Sequence, residues 1–281
     1  RLRRKHLAYL RDSPGGKVEP RETIARALVR VLDEELGVEV LDSTPLISIP
    51  WHYPEKSVRL HALRVTAWKG DPRAREGHPL RWLAPCDMDA AEMPAADAPI
   101  LVALRLPPYY VISEKRSESF LRHRFDLESV NPKTDSDPFS VSVPLVQLRM
   151  PGATREGVKQ MAECAITAGP HACESLLVNH DIELARELGI GVHLRAAQLR
   201  ELRERPLPRN AWVGASCHDA KELELAAQLG ADFATLSPVN TTSSHPAAEP
   251  LGWERFAQCV TDARFPVYAR GGTGRDHLDR G

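Results

Sequence analysis

Glu22, Arg30, Glu34 and Glu35 stand close together in the stretch from Gly15 to Val38, GGKVEPRETIARALVRVLDEELGV. Pro14-Gly15-Gly16 carries turn chemistry. A helix is expected to begin near Pro20-Arg21-Glu22, with Pro and Glu in its first turn, and to stop at Gly37. On that helix position 31 lies four residues before Glu35 and three before Glu34, so the three occupy neighbouring faces. Carboxylates grouped in this way would hold Mg²⁺ or Mn²⁺, hard ions that prefer oxygen ligands and share coordination with substrate phosphates. The same charges also read as the solvated face of an amphipathic helix, whose apolar stripe would be Ile24, Leu28, Val31/Leu32 and Leu36.

The elements that must position these residues follow in order. Residues 38–41 and 46–49 read as short strands, and Val58 to Trp68 alternates as a longer one. A turn-rich loop then leads to a strand at Trp82, and a short helix ends near Leu104. From Tyr110 onward the rhythm changes. Short aliphatic runs recur at 110–112, 145–148, 176–178, 191–194, 212–215, 233–236 and 267–269, with helical patterns at 153–168, 181–188, 219–229 and 253–262. Buried strands alternating with helices indicate a parallel sheet, here a (β/α)8 barrel of TIM type lacking its last strand. The fold class is therefore α/β and α+β in two domains, 1–105 and 106–281, divided at Leu106-Pro107-Pro108. Residues 131–140, polar and of low complexity, read as a loop inside the first βα unit.

The 281 residues suffice for two cores, and a net charge of −1 supplies no basic field for a nucleic acid polymer. The five cysteines have no CxxC spacing and no secretory leader precedes them, so they read as reduced thiols of a cytoplasmic protein. No apolar run is long enough to span a membrane. The Arg at position 1 and the Gly at 281 read as the ends of a chain shortened on both sides, with residues 1–13 too few to supply the strands expected before the first helix.

The opening stretch resembles the Nudix box, Gly-x5-Glu-x7-Arg-Glu-U-x-Glu-Glu-x-Gly-U with U a bulky aliphatic residue. Gly16, Glu22, Arg30, Leu32, Glu34, Glu35, Gly37 and Val38 fall at their places, and Val31 stands where the box has Glu. Over residues 3 to 105 the chain resembles the MutT-like 8-oxo-dGTP diphosphatases. Arg75-Glu76-Gly77-His78-Pro79 is similar to that family's Lys-Glu-Gly-Gln-Pro, and Met93 to Asp97 is similar to its Phe-Pro-Pro-Ala-Asn. The resemblance implies a Nudix α/β/α sandwich, shortened at its N-terminus, that hydrolyses a nucleoside triphosphate with Mg²⁺. It assigns metal to Glu34, Glu35 and Glu76, the phosphate loop to Gly16 and Lys17, bracing to Glu22 and Arg30, and the base to Asp97. A carboxylate at 97 accepts from guanine N1–H and the exocyclic amine but, when ionised, cannot donate to O6. Val31 predicts weak turnover, or a degenerate fusion that binds nucleotide or thiamine phosphate without converting it.

The strand ends of the second half resemble thiamine phosphate synthase and its TenI-like relatives over about residues 109–276. The resemblance rests on Gln147-Leu148-Arg149, Val178-Asn179, Gly191 to Leu194, Gly214-x-Ser216-x-His218 and Gly271-Gly272. It implies that Gln147, Arg149 and Asn179 face a ligand and that the amides of Gly271 and Gly272 cradle a phosphate. Pro151, His180, Gln198 and His245 replace the family's Lys, its two metal-binding Asp residues and its phosphate-loop Lys. Synthase activity is therefore expected to be lost, with His193, His218 and His245 as candidate ligands or bases.

Overall fold

The computed structural model describes residues 13–75, 79–113, 144–169, 171–241 and 249–272. The chain divides into two compact units, Arg1–Arg105 and Leu106–Gly281.

In the first unit, helix α1 spans Ile24–Leu36. It starts later than the sequence pattern predicts because Thr23 is the N-cap, its hydroxyl accepting from Arg26 N at 3.3 Å. Residues 19–22 form a turn instead, with Glu22 N donating to Glu19 O and Arg21 at φ 69°. Gly37 ends the helix in the left-handed conformation at φ 71°, its amide donating to Asp33 O. The buried face is Ala27, Val31 and Leu32, whereas Ile24, expected on the stripe, is exposed.

Strand β1 (Glu39–Tyr53) pairs antiparallel with β2 (Lys56–Lys69) in a long hairpin. The two short strands expected at 38–41 and 46–49 are thus one strand. Register shifts fall at Val40/Asp42, Asp42/Ser43 and Pro45/Ile47, and Pro45 has no amide to give to the ladder. The strand expected at Trp82 is absent, since residues 79–84 carry no regular structure. Trp82 instead stacks on Trp68, with ring centroids 6.2 Å apart. Three 3₁₀ turns at 85–87, 90–92 and 95–97 lead into α2 (Ala98–Arg105). Arg105 closes this segment by donating to Pro85 O at 2.8 Å and Met88 O at 2.5 Å. Helices α1 and α2 both pack on β1, and Ile49 of β1 and Leu101 of α2 are buried.

Among the described residues the second unit holds a parallel sheet of seven strands in sequential order. They are β3 (Tyr110–Ile112), β4 (Leu145–Leu148), β5 (Leu176–Asn179), β6 (Gly191–Leu194), β7 (Val213–Cys217), β8 (Phe233–Leu236) and β9 (Val267–Ala269). Helices α3 (Arg155–Thr167), α4 (Ala172–Ser175), α5 (Ile182–Leu188), α6 (Gln198–Glu201), α7 (Ala220–Leu229) and α8 (Gly252–Val260) alternate with them. Val146, Leu148, Val178, Val192, Leu194, Val213, Ala215 and Leu236 belong to one buried apolar cluster that includes helix residues. The intervening strand residues face the other way. Among them Tyr110 of β3 stacks on Tyr268 of β9 at 5.7 Å and packs on Phe233 of β8 at 4.9 Å. First and last described strands therefore meet across a common interior, as in a barrel. Burial on both faces is why these strands read as short aliphatic runs rather than alternating ones.

Candidate functional site

The loop before α1 is fastened to the helix by Arg30. Its Nε and Nη2 donate to Glu22 Oε1 and Oε2, both at 2.9 Å, and Nη2 also donates to Lys17 O at 2.9 Å. Nη1 reaches Glu34 Oε2 at 3.3 Å. This two-point contact holds the Glu22 carboxyl down to about 2, chiefly through the Arg30 hydrogen bond and then the Glu19 amide. Arg30 is pushed up in turn by Glu22. One turn further along, Glu35 Oε2 accepts from Gly15 N at 3.3 Å. Glycine 16 sits directly over Val31: a Cβ there would lie 2.5 Å from Val31 Cγ2. Val31 is 6 % exposed, so a methyl group fills the space beneath the loop.

The far end of α1 is closed by a residue that the sequence pattern did not single out. Arg75 Nη1 donates to Asp33 O at 2.8 Å and Asp33 Oδ1 at 3.2 Å, and Arg75 N donates to Glu35 O at 2.9 Å. A cation on the last carbonyls of a helix is favourable. The only prior signal was its place beside Glu76. Glu76 itself lies outside the described residues. Asp97 ends a 3₁₀ turn directly before α2, its amide donating to Pro94 O at 2.8 Å, and its side chain is partly buried.

Among the described residues no group of three or more His, Cys, Asp or Glu is placed to hold a metal ion. Glu34 and Glu35 offer oxygen only, and Glu35 already points at the loop amide of Gly15. That donor type suits Mg²⁺ or Mn²⁺.

In the second unit, two of the expected ligand-facing residues, Gln147 and Asn179, touch each other. Gln147 Nε2 donates to Asn179 Oδ1 at 2.9 Å. Arg149 N donates to Ser113 Oγ at 3.1 Å. Gly271 and Gly272 have φ of 94° and 61°, and their carbonyls accept from Asn240 N at 2.9 Å and Asn240 Nδ2 at 3.0 Å. A Cβ at Gly272 would stand 2.7 Å from Thr241 O, so only glycine fits that turn. His193 is buried between Tyr110 OH, 3.0 Å from Nδ1, and Ser216 Oγ, 2.9 Å from Nε2. Burial first, then Arg270 and Arg149, lower it to about 3, so it is neutral near pH 7. His218 is exposed, with Nδ1 2.9 Å from Glu222 Oε2. His180 adopts φ 57° and its carbonyl accepts from Gln198 Nε2 at 3.0 Å. His245 lies outside the described residues. Nothing in the sequence pattern announced that Tyr110 and Ser216 would bracket His193. Only the sheet's curvature brings β3 to β6.

The NUDIX domain family matches residues 1–103, and the thiamine monophosphate synthase family matches residues 131–280. The 8-oxo-dGTP diphosphatase of Escherichia coli (strain K12) is 31% identical over 100 residues, covering 36% of this chain and 78% of that protein. That of Buchnera aphidicola is 36% identical over 103 residues, covering 37% and 83%. A putative thiamine-phosphate synthase 2 of Aquifex aeolicus is 32% identical over 173 residues, covering 60% and 87%. No helix among the described residues is long and apolar enough to cross a membrane. With a loop braced on α1 ahead of seven sequential parallel strands, and with these matches on both halves, the chain belongs to the Nudix family in its first unit and to the thiamine monophosphate synthase family in its second.

Proposed function

We propose that the first unit is a Mg²⁺-dependent nucleoside triphosphate pyrophosphohydrolase of the 8-oxo-dGTP diphosphatase type. It would cleave oxidised dGTP to the monophosphate and pyrophosphate, cleansing the nucleotide pool in the cytoplasm as a part of DNA repair. The observation that carries this reading is the brace of Arg30 on Glu22 and Lys17 O, with Glu35 turned to the amide of Gly15. This brace holds the loop from Gly15 to Lys17 against the carboxylates of α1, where a triphosphate and a cation would have to meet. Mg²⁺, when bound, neutralises phosphate charge and orients the attacking water. Glu34, Glu35 and Glu76 would hold it. Lys17 and the amides of the loop would take the phosphates, and Asp97 would accept from the Watson–Crick edge of the base.

A second reading, binding without turnover, is favoured by Val31: its methyl lies under Gly16, where the family has a carboxylate. The barrel is read as TenI-like and without synthase activity, because Pro151, His180 and Gln198 stand where the family handles diphosphate. The test is pyrophosphate release from a panel of nucleoside triphosphates, with and without Mg²⁺. Release from 8-oxo-dGTP that stops on chelation supports the hydrolase. Absence of release from every triphosphate, with nucleotide still bound, leaves the binding reading. Thiamine phosphate formed from the pyrimidine diphosphate and thiazole phosphate would overturn the reading of the barrel.

A further inference from the structure

The last turn of α1 is held from outside the helix. Three of its last four carbonyls receive a donor. Asp33 O accepts from Gly37 N at 3.0 Å and from Arg75 Nη1 at 2.8 Å, Glu35 O from Arg75 N at 2.9 Å, and Leu36 O from Arg73 N at 2.9 Å. Carbonyls at a helix C-terminus have no intrahelical partner, and a last turn left without one frays. Glycine makes the approach possible. A Cβ on Gly37 would lie 2.5 Å from Arg75 Nε and 2.7 Å from Arg75 Cζ, so the guanidinium rests directly on the helix stop. A Cβ on Gly70, which starts the same loop at φ 98°, would stand 3.4 Å from Gly37 O.

That turn carries Glu34 and Glu35. Glu35 is fixed from two sides, its Oε2 accepting from Gly15 N at 3.3 Å and its carbonyl from Arg75 N. The ion pair with Asp33 does not account for the arrangement. The side chains of Arg75 and Asp33 are 54% and 66% exposed, and a 3.2 Å contact between charges so well solvated contributes little to stability. The charge of Arg75 does not help a cation either. At the negative end of the helix dipole it offsets the field that would attract a divalent ion to Glu34 and Glu35. What remains is position. Mg²⁺ demands near-ideal geometry from its oxygens, so carboxylates on a fraying turn hold it more weakly than carboxylates on a fixed one.

We propose that Arg75 is a positioning residue for the divalent cation of the first unit. By tying the loop after β2 to the last turn of α1, it sets the place of the Glu34 and Glu35 carboxylates while touching neither cation nor phosphate. The inference rests on the reading of this unit as a metal-dependent hydrolase.

The test separates position from charge by sign. Mn²⁺ is titrated calorimetrically into the full chain and into Arg75→Ala and Arg75→Lys, after circular dichroism and a melt in EDTA establish folding. On charge alone Arg75→Ala should tighten Mn²⁺ binding, and as a mere surface pair it should leave the affinity unchanged. Positioning requires a loss of about tenfold, within the range for groups that orient metal ligands. Arg75→Lys should recover part of it, since an ammonium still donates to a carbonyl but lacks the fork. In the metal-free protein, amide exchange at Gly37 and Arg73 should quicken in Arg75→Ala while that of Ala27, at the other end of α1, holds. Should Arg75→Ala not fold, Arg75→Lys decides: charge predicts wild-type affinity, position a loss. Unchanged or tighter Mn²⁺ binding in a folded Arg75→Ala, with pyrophosphate release by the wild type intact, overturns this inference alone. Arg75-dependent Mn²⁺ binding in a protein that releases no pyrophosphate supports it and sinks the turnover reading. Absence of Mn²⁺ binding by the wild type overturns both.

Discussion

Replacing Val31 by Glu sets stability against chemistry at one position. Val31 is 6 % exposed and its Cγ2 lies under Gly16, so a glutamate there must thread its stem beneath the loop before its carboxylate reaches the Gly15 amide region. Losing a buried Val side chain costs up to about 1.5–3 kcal/mol, partly recovered because the Glu stem keeps apolar atoms in the gap. A second carboxylate four residues from Glu35 adds a few tenths of a kcal/mol of repulsion. A net loss of about 2 kcal/mol without metal is expected, on the order of 10 °C in melting temperature for a unit of this size. The same carboxylate gives a divalent cation one more oxygen. Mg²⁺ at about a hundred times its dissociation constant would restore roughly 2.7 kcal/mol. Turnover of 8-oxo-dGTP should rise by about 10²–10⁴, the range of general-base assistance. Thermal melts of both forms in EDTA and in saturating Mg²⁺ would be run beside the hydrolysis assay. Equal melting shifts on adding Mg²⁺, together with equal rates in two folded proteins, would refute the placement of position 31 at the metal.

Three other outcomes follow from the same geometry. Gly16→Ala should destabilise the first unit by about 1–3 kcal/mol because its methyl meets the stiff Val31 side chain, and adding Val31→Ala should return much of that loss; denaturant melts of the four forms measure it. Glu35→Gln should weaken Mn²⁺ binding in calorimetry, since one charged oxygen ligand is gone, and unchanged affinity would remove Glu35 from the ligand set. The Glu22–Arg30 brace should persist into acid. Glu22 titrates at about 2 when folded against an ordinary 4.5, so the unfolded chain takes the proton first. The brace's contribution is therefore complete above about pH 4.5 and is lost as pH falls through about 2, and a carboxyl NMR titration in which Glu22 shifts near 4.5 would contradict it.

Much of this protein is decided by local chemistry. The spacing of Gly16, Glu22, Arg30, Glu34, Glu35 and Gly37 placed a loop, a helix and a stop in order, because turn glycines, caps and a 3.6-residue period act over neighbouring residues. The seven aliphatic runs located the strands of the parallel sheet among the described residues, since strands buried on both faces are largely apolar. Boundaries slipped where a nearby side chain competed: Thr23 took the cap from the Pro20 turn, and β1 ran through Pro45 by shifting register. What lay beyond reach was every relation across many residues. Arg75 returning to Asp33, Val31 facing Gly16, and Tyr110, His193 and Tyr268 meeting inside the barrel depend on how helices pack and how far the sheet curls. The sequence alone determined which residues carry charge, oxygen or a free backbone turn. Tertiary structure alone decided which of them share a space, because burial, and with it the lowered pKa of His193, belongs to the packed chain and to no segment of it.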